Sequence, residues 1–448
     1  MKQNLIPALI CILYISTVAC ENICENMCKN TADTITITID TVKKFLREDK
    51  LQEAIDLCKK AIEQDPNNAL IYLLLGCAHA KRKAHQKAMK NYLAALKINK
   101  NLHAAWHNLA LTLRKNELID EAIYCYKKAL ELKPNDENYH FGLAQALLAL
   151  GDWQEGWKEM DLGRISTLRC FKNRIEDPSQ IAGKTIFIPK SWGLGDWIQF
   201  GPPYAKKLKE YGAKEIIIQV YKPLVKLLSS CKYFDKITAD QRVTAHYDAT
   251  VGLWSLPRVF STTDTNMPLT PKDFPYLHAD PSLVYKWGEK LKHDKNFKIG
   301  ICWSGSGTLG EKDILLEKFA PIANIPGVTL YSLQKSRQCE QLQHVNFKVV
   351  DFGKELDENH GSFMDTAAIM KNLDLVITVD TSVAHLAGAL NVPVWVFIIF
   401  GPDWRWLLDR EDTPWYPSMR LFRAKKHNDW DNIINNMKTE LKKVINNS

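Results

Sequence analysis

The chain has 448 residues, of which 46% are hydrophobic and 25% charged, with a formal net charge of +8 at pH 7. That length can bury two or three separate cores, and that composition excludes a polytopic membrane protein and wholesale disorder. The positive excess is too weak to call for nucleic acid as a partner, and it suits a diphosphate-bearing ligand or an anionic membrane surface.

At the N-terminus, Lys2 precedes the apolar run Leu5 to Ala19, and "TVAC" follows. The first 30 residues therefore read as a signal-like segment or a short anchor. The run falls short of the roughly 20 apolar residues that a spanning helix needs. Cys20, Cys24 and Cys28 share a spacing of four that matches no zinc or cluster motif. Others of the eleven cysteines, such as Cys58, Cys77, Cys125 and Cys302, sit among apolar residues, where a reduced thiol behaves as a small hydrophobe. A reducing compartment fits that usage.

From 31 to 165 the sequence repeats with a period of 34. Ala54, Ala88 and Ala122 form one column, Cys58, Tyr92 and Tyr126 a second, and Ala61, Ala95 and Ala129 a third. Tyr72 aligns with Trp106, Leu75 with Leu109 and Gly76 with Ala110. Apolar residues recur at helical spacing on two segments per unit, which predicts stacked antiparallel helix pairs. The pattern resembles the tetratricopeptide repeat, whose concave surface binds peptides or proteins. In the last unit Gly156 stands where Ala is expected. The basic run Lys81, Arg82, Lys83, Lys87, Lys90, Lys97 and Lys100 holds no acid; it could mark an acidic partner, but such a run is more often a solvated face.

From Lys184 short apolar runs alternate with amphipathic segments, the mark of parallel-stranded α/β units. A first such domain is predicted over 182–270. Its leading strand runs into "SWGLGD", where Gly193 and Gly195 let a ligand approach the backbone at the carboxyl end of a strand, the end at which open α/β sheets bind ligands. A Pro-containing linker follows over 271–295. A second α/β domain is predicted over 296–448, with a Gly- and Ser-rich loop after the strand Lys298 to Cys302 carrying Trp303, Ser304, Ser306 and Lys312. In "VITVDTSVAHLAGALNVPVWV" a buried strand gives way at Asp380 to a helix from Thr381. Unpaired N–H groups at such a start, helped by the Thr381 and Ser382 hydroxyls, suit a diphosphate without metal. His385 follows one turn later on the same face.

Together "SWGLGDWIQF", "WSGS", "YSLQK", "VDTSVAHLAGALNVPVWV" and "FGPDWRWLLDREDTPWYPSMRLFR" resemble the heptosyltransferase-like glycosyltransferases of family 9, in particular bacterial proteins that carry tetratricopeptide repeats before such a domain. The resemblance covers nearly all of Lys184 to Arg423. It implies an α plus α/β architecture, helical repeats followed by a GT-B fold of two Rossmann-like domains. It also implies inverting, metal-independent transfer of a hexosyl or heptosyl unit from a nucleotide-diphosphate sugar to a glycan or protein acceptor. The resemblance makes Asp196 the catalytic base and puts Gly193, Gly195 and Gln199 on the acceptor-side loop. It places Ser304, Gly305, Lys312, Gln334, Asp380, Thr381, Ser382 and His385 around the donor, and Trp404 and Arg405 in a further loop near the cleft. No cofactor and no metal are expected, since no DxD pair appears near these loops. Where similar sequences carry Arg, this one has Pro202 and Lys312. Bacterial nucleotide sugars are cytoplasmic, so the implied location is the cytoplasm, with peripheral contact at the inner face of the membrane left open by the N-terminal run. The alternative is a non-catalytic repeat scaffold whose transferase domain has degenerated.

Overall fold

The computed structural model describes residues 38–164, 166, 171, 173–191, 193–240, 245–305, 310–335 and 337–447. The sequence readings on Lys2 to Ala19, on Cys20, Cys24 and Cys28 and on Ser306 fall outside the described residues. Among those described, no helix is long and apolar enough to cross a membrane. The chain divides into two compact units, Met1–Ile165 and Ser166–Ser448.

The first unit consists of helix pairs. Helix α1 (38–47) precedes α2 (Leu51–Gln64), then α3 (Ala69–Lys81), α4 (His85–Ile98), α5 (His103–Lys115), α6 (Ile119–Leu132), α7 (Glu137–Leu150) and α8 (Trp153–Leu162). All nine residues of the three alanine and aromatic columns are buried. The period also appears in the backbone. Asp49, Lys83, Glu117 and Gly151, 34 apart, all adopt positive φ, each reversing the chain between the two helices of its pair. Gly151 ends α7 in the left-handed conformation, with its N–H on the Leu147 and Leu148 carbonyls, as helix C-terminal glycines do. Gly156 has a packing reason: a Cβ there would lie 2.7 Å from Leu148 Cγ, so Leu148 fills the space that Ala occupies in the other units.

The second unit holds two all-parallel sheets. Strands β1 (Thr185–Ile188), β2 (Glu215–Gln219), β3 (Lys236–Thr238) and β4 (Ala249–Thr250) are ordered β3-β2-β1-β4. The other sheet contains β5 (Phe297–Cys302), β6 (Val328–Ser332), β7 (Val349–Val350), β8 (Leu375–Val379), β9 (Val394–Ile398) and β10 (Met419–Arg423), in the order β10-β9-β8-β5-β6-β7. Counted within that lobe, this is the 3-2-1-4-5-6 order of a doubly wound Rossmann sheet. Strands β8 and β9 are buried along their whole length, as parallel strands covered on both faces must be. The first sheet has the 3-2-1-4 part of that order, so the unit carries the two Rossmann-like lobes of a GT-B fold.

Four helices position the site: α9 (Leu194–Glu210), α10 (Pro281–Leu291), α11 (Met364–Met370) and α12 (Ser382–Ala389). The segment between the lobes is tied to the second one: Trp287 on α10 donates its indole N–H to the fully buried Asp365 on α11 at 2.7 Å. Helix α13 (Trp430–Asn446) closes the second lobe, with Ile433, Ile434, Met437 and Leu441 in its core.

Pro202 and Pro203 lie inside α9. A proline there removes the N–H that would bond four residues back, so Pro202 frees the carbonyl of Ile198. The Tyr276 hydroxyl donates to that carbonyl at 3.0 Å. The backbone bond lost at Pro202 is thus replaced by a tyrosine hydroxyl from the segment between the lobes, which does not supply the arginine that similar sequences carry.

Candidate active site

Doubly wound sheets bind ligands beyond the carboxyl ends of their strands, at the point where the strand order reverses. In the second lobe that point lies between β5 and β8, which pair directly. The loop after β5 carries Ser304 and Gly305, and the turn after β8 carries Asp380, Thr381 and Ser382. All five line one cleft of about 510 Å³. Leu194, Gly195 and Pro223 of the first lobe form its opposite wall, and Lys335, Asp357 and Phe363, from the loops beyond β6 and β7, and Thr366 on α11 line it as well. Cavities of this size hold small ligands.

Thr381 takes the N-cap position of α12 without capping it: its side chain makes no cap hydrogen bond, and its hydroxyl sits 3.4 Å from that of Thr378. The first turn of the helix therefore receives no cap from Thr381, and Thr381, Ser382 and Val383 line the cleft. Such a turn attracts anions through its free N–H groups and the helix dipole.

The β5 loop is held from behind. Gln334 accepts the Trp303 and Ser304 N–H groups at 3.1 and 3.0 Å and returns its own amide N–H to the Ser304 carbonyl at 2.9 Å. Gln334 touches the cleft, but these bonds commit its amide to shaping the loop. Asp313 accepts Gly305 N–H at 2.8 Å and Gly310 N–H at 2.6 Å, which fixes both flanks of the following segment.

Charge is arranged in two linked groups. Lys312 forms an ion pair with Asp380. Burial alone would lower the Lys312 ammonium, but Asp380 and Asp403 outweigh it and hold it above its ordinary value. Next to it, Arg405 is 7% exposed. Its guanidinium donates to Asp196 Oδ1 at 2.5 Å, Gln199 Oε1 at 2.8 Å and Asp403 Oδ1 at 2.8 Å. It lies 4.5 Å from the Trp404 ring and 5.0 Å from the Trp254 ring. Burial pushes the Asp403 carboxyl up, yet Arg405 and Lys312 hold it far below the usual carboxylate range. The other Asp196 oxygen accepts Gly193 N–H at 2.9 Å, so the loop glycine and the second-lobe arginine fix the carboxylate from two sides.

His385 is drawn away from the cleft. Its ring is 5% exposed, lies nearly parallel to Trp406 with centroids 5.6 Å apart, and its Nδ1 is 2.9 Å from the Tyr416 hydroxyl. Burial first and Arg405 second lower its pKa to about 4, so it is neutral at pH 7. A Cβ on Gly195 would come within 2.8 Å of His385 Cδ2. Glycine at 195 is what lets α9 of one lobe close on α12 of the other.

Of the residues singled out in the sequence, Gly195, Ser304, Gly305, Gln334, Asp380, Thr381 and Ser382 share the cleft wall. Lys312 joins them through Asp380. Asp196, Gly193 and Gln199 stand behind Gly195 in the Arg405 group, and His385 belongs to the packing between lobes. Sequence reasoning missed Asp313, Tyr416 and the centrality of Arg405. Only Arg405 left a signal, a charged residue between two tryptophans in a Gly-Pro loop after a buried strand.

A tetratricopeptide-repeat family profile matches residues 57–90, and a second TPR-repeat profile matches 113–151. The N-terminal unit is a tetratricopeptide-repeat array. This repeat protein is 25% identical over 435 residues to Protein FlbA of Caulobacter vibrioides, an alignment covering 89% of this chain and 71% of the relative. The small glutamine-rich tetratricopeptide repeat-containing protein of Dictyostelium discoideum is 32% identical over 101 residues, 22% of this chain and 30% of that protein. Among solved structures, the glycosyl transferase family 9 protein of Veillonella parvula aligns with a TM-score of 0.43 and 13% identity, over 60% of this chain and 91% of the other.

Proposed function

We propose that the C-terminal unit is an inverting glycosyltransferase using a nucleoside-diphosphate sugar, and that the tetratricopeptide repeats engage a protein or peptide partner. The observation that carries the reading is the uncapped start of α12 at the reversal point between β5 and β8, opening on a cleft walled by both lobes. The diphosphate lies against that helix turn and the Ser304–Gly305 loop, with Lys312 close enough to share its charge between Asp380 and the phosphates. The sugar then faces α9 across the cleft.

In the transfer step the acceptor hydroxyl oxygen forms a bond to the anomeric carbon as the bond to the diphosphate breaks, and the bonding pair leaves with the nucleoside diphosphate. The helix turn and Lys312 stabilise that growing negative charge. The hydroxyl proton passes to Asp196, a carboxylate on the acceptor-lobe side. The acceptor is a glycan or protein hydroxyl, and no metal or other cofactor is called on; neutral His385 serves packing in this scheme. The cytoplasm, where such donors are made in bacteria, is the location that follows.

A second reading, a non-catalytic scaffold, draws support from Asp196, whose oxygens are both engaged by protein groups. Thermal melting of the full chain with UDP, ADP and GDP tests the first. A cognate nucleotide at a hundred times its Kd stabilises the folded state by about 2.7 kcal/mol and raises the melting temperature of the C-terminal unit by several degrees. No shift with any of the three defeats the donor-site assignment.

A further inference from the structure

The geometry points to Arg405 as a positioning residue for the proposed transfer, a guanidinium supplied by the donor lobe that aims the Asp196 carboxylate of the acceptor lobe. The inference rests on the transferase reading above and adds a residue to it. Arg405 follows β9 in the second lobe, whereas Asp196 and Gln199 lie on α9 of the first. A single side chain therefore bonds two groups across the lobe boundary, at 2.5 and 2.8 Å, and one within its own loop, Asp403, at 2.8 Å. A planar guanidinium can serve all three acceptors at once, which a lysine ammonium on a flexible stem cannot do in the same geometry. Trp404 and Trp254, set edge to face against each other, both pack against the guanidinium, and the side chain is 9% exposed, so the arrangement is not a surface ion pair of negligible weight. With Gly193 N–H on one Asp196 oxygen and Arg405 on the other, the carboxylate has one orientation, and each oxygen keeps a second lone pair for a proton. The consequence is a coupling: Asp196 is aimed only while the donor lobe stands against α9.

The test compares full-length wild type with Arg405→Lys, Asp196→Asn and the double variant, reading release of nucleoside diphosphate from a panel of UDP-, ADP- and GDP-sugars with water as the acceptor, so that the sugar leaves as the free sugar. Arg405→Lys is expected to lower kcat about 100-fold, the scale of a misplaced catalytic group, with KM for the donor changed less than threefold. In the Asp196→Asn background the lysine should cost nothing more, because its effect passes through Asp196. Arg405→Gly, made in parallel, should regain turnover on addition of guanidinium, with saturation. A rise in donor KM without loss of kcat, or a full additional loss in the Asp196→Asn background, overturns the assignment while leaving the transferase reading intact. Absence of turnover in the wild type with every sugar overturns the transferase reading, and the role of Arg405 falls with it.

Discussion

In the proposed donor site Lys312 has two partners, the Asp380 carboxylate it now holds and a diphosphate arriving at the same helix turn. Replacing it by Met removes a charge-assisted hydrogen bond worth about 1.5–3 kcal/mol. Binding of UDP, ADP or GDP, whichever is cognate, should then weaken by about 10- to 100-fold in calorimetric titration. An unchanged affinity would take Lys312 out of the donor site. Gln334 presents the opposite case, a residue on the cleft wall whose work is done behind it. Gln334→Ala strands the Trp303 and Ser304 N–H groups, while the Ser304 carbonyl keeps the Cys302 thiol, and each buried orphan costs about 1–3 kcal/mol. The expected loss is therefore at least about 2 kcal/mol in denaturant unfolding of the C-terminal unit, far beyond what deletion of a ligand contact alone would give.

At the scale of the element, α9 shows how a helix tolerates two interior prolines. Tyr276 replaces the bond that Pro202 cannot make, so Tyr276→Phe should cost about 1–3 kcal/mol for the unsatisfied Ile198 carbonyl. Combining it with Pro202→Ala returns an N–H four residues on and should recover part of that loss. If Pro202→Ala stabilises the wild type and the Tyr276→Phe variant equally, the compensation is refuted; melting curves of the four proteins decide it. The elements themselves were legible in the sequence because each is local. A period of 34 with alanine and aromatic columns fixes helix pairs, and apolar runs ending in Gly, Ser or Asp fix parallel strands and the loops after them. That Tyr276, 74 residues on, bonds the carbonyl freed by Pro202 was not legible, because no local pattern announces a hydroxyl placed by the fold.

The same distinction governs the molecule as a whole. Groups that meet the cleft through their own loop, such as Thr381 and Ser382, were readable, while groups brought together from distant segments were not: Arg405 on Asp196 across the lobes, and His385 under Tyr416 and Trp406 within the second lobe. His385 occupies the right turn of α12 for an anion contact, yet closure of α9 on α12 buries it instead. That burial makes a prediction about pH. Its pKa falls to about 4 in the folded state, by burial and then by Arg405, against about 6.5 in an unfolded chain. Between these values the unfolded chain binds the extra proton, so stability present above pH 6.5 is lost as the pH falls toward 4. The whole shift amounts to about 3 kcal/mol, most of it gone by pH 4.5. His385→Gln fills similar space without titrating there. It should flatten the pH dependence of the C-terminal melting transition between pH 7 and 4.5 relative to wild type, whatever it costs at pH 7. Parallel curves for the two proteins over that range would show that the buried imidazole is not what makes the closed lobes acid-sensitive.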